Sequence, residues 1–128
     1  MDLSPGLFAR VELVVGDADT AQTLGSGDVP VLGTPRVLAL CEAATVAATA
    51  PHLPPDTTTV GTHAELSHRA PSAVGAIVVA EARLAKRDGK RLWFEVAVKQ
   101  GETVVADGRI ERVAVQRHQF LQKAAEAL

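Results

Sequence analysis

Residues Gly33–Pro51 read GTPRVLALCEAATVAATAP, and this run decides the architecture. Thr34 is a good N-cap, because its hydroxyl can accept a hydrogen bond from an unpaired amide of the first turn. Pro35 suits the first helical position, where no N–H is needed. Pro51 stops the run. The pattern predicts a helix over 35–50, rich in alanine and apolar on nearly every side. A helix of that kind is buried over most of its surface. Arg36 lies in the first turn and reaches solvent. Glu42 lies in the middle, among Ala, Leu, Cys and Val, with no easy route to water.

On the N-terminal side, the Val-rich alternation of Phe8–Val15 predicts a first strand. It is followed by GDADTAQTLGSGDVPVLG (16–33), whose Gly, Asp, Ser and Pro mark a long loop with room for a short helix. Loops of this length are frequently lids or flaps. On the C-terminal side, four strands are predicted over 57–67, 75–87, 90–100 and 102–115. Asp88-Gly89 is a strong hairpin signal, and Gly101 joins the next pair. Leu92, Phe94, Val96 and Val98 alternate with Arg91, Glu95 and Lys99, giving one dry and one wet face. In the last strand Val104 and Ala106 match Ile110, whereas Val113 and Val115 fall on the opposite parity. Gly108 is therefore the expected bulge. The tail QRHQFLQKAAEAL predicts a short helix with Phe120, Leu121 and Ala124 on one side.

The order is strand, long loop, buried helix, then an antiparallel meander of four strands. That is an α+β layout in a single domain over 1–128. One such sheet leaves an edge and an outer face to cover, which predicts dimerisation. The chain is 47% hydrophobic but only 3% aromatic, so Val, Ala and Leu must fill the core by close packing. Thirteen basic residues against fifteen acidic give a net charge of −2, which makes no electrostatic case for nucleic acid or a membrane surface. The single cysteine, Cys41, excludes an internal disulfide and fits a reducing, cytoplasmic setting. The start MDLSPGLFARVEL has no signal-peptide pattern. Histidine and cysteine show no zinc spacing, and no phosphate loop, dinucleotide fingerprint or nucleophile elbow occurs, so neither metal nor cofactor is expected.

Five residues stand out. Glu42 is either an ion-paired residue at a subunit interface or a base or nucleophile tuned by its apolar surroundings. Val60, Thr62, Ala64, Leu66 and His68 share one strand parity, so His68 faces the helix and is predicted to meet Glu42. It also ends its strand, just before Pro71 and Gly75. His63 and Glu65 have the opposite, solvent-facing parity. Thr34 caps the helix and can hold a polar substrate atom. Gly61 marks a close approach or a bulge. It falls on the face opposite His68, a conflict that a bulge or a partner chain must resolve. Arg112, in IERVAV, is either an internal ion-pair partner or a solvated strand residue.

The threonine–glutamate spacing in GTPRVLALCE, the glycine and terminal histidine of GTHAELSH, and the arginine of GRIERVAV resemble the hotdog-fold thioesterases, in particular the fluoroacetyl-CoA thioesterase-like branch. The likeness runs from about Val31 to Phe120. It implies a hotdog fold, an antiparallel sheet of about five strands wrapped around a central helix. It also implies hydrolysis of an acyl-CoA substrate by a homodimer, or a tetramer built from dimers, with each site at a subunit interface. By the same resemblance Thr34, Glu42 and His68 are catalytic, while Gly61 and Arg112 contact substrate. The branch gates its site with aromatic residues in the loop before the helix. Here TLGSGDVPVLG has none, and Asp28 falls near the gate position. A short or medium acyl group other than fluoroacetyl is the implied substrate. A hotdog protein that binds acyl-CoA without turnover is the alternative. A hydratase ranks third, because the segment before the helix lacks the Asp–x–x–x–x–His pattern.

Overall fold

A computed structural model describes residues Met1–Leu128. Strand β1 (Phe8–Val14) leads through a 3-10 turn and the short helix α1 (Ala21–Leu24) to the long helix α2 (Thr34–Thr49). Strands β2 (Thr57–His68), β3 (Ile77–Asp88), β4 (Arg91–Gln100) and β5 (Thr103–Gln116) follow, and helix α3 (Arg117–Glu126) ends the chain. All five strands form one antiparallel sheet in the order β1-β3-β4-β5-β2. No helix is long and apolar enough to cross a membrane.

The meander therefore has three strands, β3 to β5, and not the expected four. Tight turns at Gly89 and Gly101, both at positive φ, close its two hairpins. No such turn joins β2 to β3. Residues 69–76 instead carry the chain past the start of α2, where Leu32 N–H donates to the Ser72 carbonyl and Val31 bridges Ala73. This crossover sets β2 at the far edge, beside β5, and β3 beside β1.

The core lies between α2 and the inner face of the sheet. Val37, Leu40, Cys41 and Ala44 of α2 are buried, as are the inward residues of β3 (Val78 to Leu84) and β4 (Leu92 to Val98). Ala44, Ala80 and Ala82 are all fully buried. Their small side chains let the helix approach the sheet closely, which is how a chain with few aromatics reaches interior density. Full burial of each Leu- or Val-sized side chain contributes about 1.5–3 kcal/mol.

Helix α2 is not enclosed on all sides. It packs over β1 and β3 more than over β2, and Ala39, Ala43, Val46 and Ala47 remain exposed. The 16–33 loop is pinned and is no free flap. Thr20 bridges Leu32, Ala21 N–H donates to the Val31 carbonyl, and Asp19 binds both the Gly16 amide and Arg36.

The expected bulge at Gly108 is also displaced. Gly108 pairs in register with both Leu66 and Val96. It is a glycine because a Cβ there would run into the Glu65 carbonyl of β2. The extra residue is Val105, between the pairs Val98–Ala106 and Lys99–Val104, so Val105 is buried while Val104 is exposed. From Ile110 on, alternate residues point inward, and the second of them is Arg112.

Candidate active site

Two polar groups sit on the inner side of the sheet, both anchored on α2 and β2. The first is at the start of α2. The N-cap is Gly33, not Thr34, and it offers no side-chain cap. Gly33 sits so close to the Ala21 backbone that a Cβ would come within 3.1 Å of it. Thr34 is thus the first helical residue, and its hydroxyl is released from the capping role expected of it. Thr34 Oγ1 lies 2.8 Å from His68 Nδ1, a hydrogen bond whose direction follows the imidazole tautomer. The other ring nitrogen, His68 Nε2, is buried with no partner in the chain. The Thr34 N–H donates to no group of the protein either, and it sits at the electropositive end of a four-turn helix. Beside this pair opens a cleft of about 310 Å³, walled by Ala21, Val29, Val31 and Pro71. Asp28, expected near a gate, does not line it.

The second group is two helical turns on. Glu42 Oε2 lies 3.0 Å from Arg112 Nη1. The glutamate side chain is 39% exposed and the arginine 7%. Glu42 is therefore partly solvated, and the buried member of the pair is the arginine. Burial pushes the Arg112 pKa below its usual value, and Glu42 opposes that shift. The guanidinium is fixed from behind by Thr59, with Nε on Oγ1 at 2.9 Å and Nη2 on the carbonyl at 2.7 Å. Gly61 completes the seat, since a Cβ there would lie 2.5 Å from Glu42 Oε2. Of the two roles weighed for Arg112, the structure gives the internal ion pair. Nε, Nη1 and Nη2 are all bonded inside the chain.

The parity conflict in β2 has a local origin. The β2–β5 register slips between Gly61 and His63, leaving Thr62 as a bulge. Thr59 and Gly61 point inward before it, and Leu66 and His68 after it. His63 and Glu65 face solvent, 3.5 Å from one another.

Within one chain the expected meeting of Glu42 and His68 does not occur. Thr34 and Glu42 are eight residues apart on α2, a rise of about 12 Å. The structure brings Thr34 to His68, and Glu42 to Gly61 and Arg112, as two separate groups. Thr59 is the residue that sequence reasoning missed. The only signal for it was its inward parity with Gly61. Cys41, next to Glu42, is no candidate nucleophile, because burial pushes its thiol up to about 12.

Residues 15–118 match the family model of the fluoroacetyl-CoA-specific thioesterase, FlK. The chain belongs to this family. A crystal structure of FlK itself superposes with a TM-score of 0.93 at 25% identity, covering 100% of this chain and 99% of that one. A complex of an FlK variant with fluoroacetate gives 0.92 at 25% identity, covering 98% and 99%. A thioesterase superfamily member from Thermus thermophilus gives 0.87 at 26% identity, with full coverage of both chains. A search of curated protein sequences returns no match. The fold is thus the hotdog fold and the activity is that of an acyl-CoA thioesterase. The hotdog resemblance in the sequence is borne out.

Proposed function

We propose that the thioesterase works as a homodimer whose sites each combine the Thr34–His68 pair of one chain with Glu42 of the other. The observation that carries this reading is the separation of the two half-sites by about 12 Å along α2 beside a sheet edge that has no partner. The β2 edge is open, and Gly61 to Glu65 of β2 are all exposed. The uncovered face of α2 (Ala39, Ala43, Val46, Ala47) offers small side chains for a second helix. Antiparallel pairing of two β2 strands about Glu65 keeps inward residues opposite inward ones, and the bulge at Thr62 then sets the Gly61–Thr62 step of one chain opposite His68 of the partner subunit. Glu42, seated on Gly61, then supplies a carboxylate near the open Nε2 of the partner's His68.

In that arrangement Glu42 acts through its uncommitted Oε1. It draws a proton from the water that adds to the thioester carbonyl, or it adds to that carbonyl itself and forms an anhydride that water then hydrolyses to the free acid. The free Thr34 N–H donates to the carbonyl oxygen as negative charge develops there. His68 gives a proton to the CoA thiolate as the C–S bond breaks and regains one from Glu42 or from the hydrolytic water, while Thr34 Oγ1 fixes its ring. The cleft is lined by aliphatic side chains beside Ser26, Thr34, His68 and Arg69, with no Phe, Tyr or Trp, which supports an alkanoyl group as substrate rather than fluoroacetate.

The test is thiol release from straight-chain, branched and fluoroacetyl-CoA esters. Glu42→Ala and His68→Ala are each expected to fall about 100- to 10,000-fold. Mixing the two inactive variants after unfolding makes heterodimers with one intact site of two, and recovers about a quarter of wild-type activity. No recovery from verified heterodimers places both residues of each site in one chain and overturns the shared site.

A further inference from the structure

We infer that Thr59 is a positioning residue for the reaction, acting through Arg112 on the Glu42 carboxylate. The inference rests on the proposed role of Glu42. Arg112 is buried beneath the site, and a guanidinium is a rigid planar fork. A single hydrogen bond would leave that plane free to swing. Thr59 makes two, from its hydroxyl to Nε and from its carbonyl to Nη2. Two bonds from one residue fix the plane, and the remaining edge, Nη1, then points at Glu42 Oε2.

Thr59 is itself buried. Its place opposite Ala114 is set by the β2–β5 ladder before the bulge at Thr62. Two residues later Gly61 leaves the room into which the carboxylate is pressed. The strand thus provides the anchor and the space, while β5 provides the charge. One carboxylate oxygen is held and the other is left for chemistry. A group aimed by such a support loses rate, rather than substrate affinity, when the support slackens.

The experiment compares Thr59→Val, which keeps shape and carbonyl but removes the acceptor for Nε, with Thr59→Ser, which restores it. With the best acyl-CoA, Thr59→Val is expected to lower kcat about tenfold at nearly constant KM. Thr59→Ser recovers kcat to within about twofold. In a Glu42→Ala background Thr59→Val has no further effect, because a residue that acts through Glu42 is silent without it. Equal kcat in wild type and Thr59→Val overturns the inference, as does additive loss in the double variant. A purely structural Thr59 lowers thermal stability and leaves the kcat of the folded enzyme alone. The ¹⁵N-detected Arg112 Nε–H gives a readout independent of turnover. It exchanges slowly in wild type and Thr59→Ser, and fast in Thr59→Val. Fast exchange in wild type overturns the inference even if Glu42 is essential. Slow exchange in an enzyme whose Glu42→Ala variant still turns over leaves the clamp standing, and rejects instead the proposed role of Glu42 and with it the catalytic role of Thr59.

Discussion

Strands β2 and β3 are both twelve residues long, and they serve opposite ends. β3 lies between β1 and β4 under helix α2, and its inward residues Val78, Ala80, Ala82 and Leu84 are completely buried. Its outward residues Glu81 and Arg83 form ion pairs with neighbouring strands. β2 has one neighbour, and half of its residues are exposed. Yet β2 carries Thr59, Gly61 and His68, every strand residue of the two polar groups except Arg112. The difference is one of saturation. A strand with all its surfaces satisfied holds the fold together and has nothing left to offer a substrate. A strand with an open edge can bring reactive groups to a second chain and to a ligand.

The strongest way to break this contrast is to hollow out both sides. Phe94, on β4 beneath α2, is buried to 1%. Phe94→Ala is expected to cost about 3–5 kcal/mol, read from the urea midpoint. Leu66, half-buried on β2 and packed on the rim of the core, is expected to cost about 1–2 kcal/mol as alanine. Equal losses would mean that β2 is as much a part of the core as the central strands.

A milder change sharpens the point from the helix side. Ala43 is exposed on the uncovered face of α2. In a lone chain Ala43→Glu changes stability by no more than about 0.5 kcal/mol. If that face meets a second helix, the buried charge splits the dimer. Sedimentation then shows monomers, and thiol release falls with the dimer fraction. A dimeric, fully active Ala43→Glu enzyme would move the interface away from this face.

The same contrast explains what could be read in the sequence. Helix α2, the hairpin at Asp88-Gly89 and the alternation of β4 were legible, because each is set by neighbouring residues and local propensity. Gly61 and His68, the candidate residues on β2, stood out by type and spacing. Their mutual placement was not. The step of β2 to the far edge depends on the crossover at 69–76 and its contacts with Leu32, which no local pattern records. Gly108 resembled a bulge because the reason for a glycine there, the Glu65 carbonyl, lies on a strand some forty residues earlier. Arg112 broke the apolar parity of β5 because its partner is on α2. Thr34 looked like a cap until Gly33 took that position. Except at Thr34, whose neighbour Gly33 takes the cap, the deciding group is distant in the chain.

The smallest expected effect concerns the pinned loop that walls the cleft. Asp19 accepts from the Gly16 amide and from Arg36 Nε, each at 2.8 Å. The Gly16 bond, helped by Arg36 and partly offset by burial, holds the Asp19 carboxyl below its usual range. Its folded pKa is therefore lower than its unfolded value of about 3.9. The stabilisation is fully present above that unfolded value and is lost as pH falls through the folded one. Asp19→Asn keeps an acceptor for Gly16 but gives up the ion pair with Arg36, a loss of about 0.5–1 kcal/mol. The gap between wild type and variant, measured by urea unfolding, is expected to be level from about pH 7 to pH 5, to narrow below about pH 4, and to close in stronger acid. A gap that widens toward acid would mean that the neutral carboxyl is the form the fold prefers, and that this loop is held by something other than the Asp19 charge.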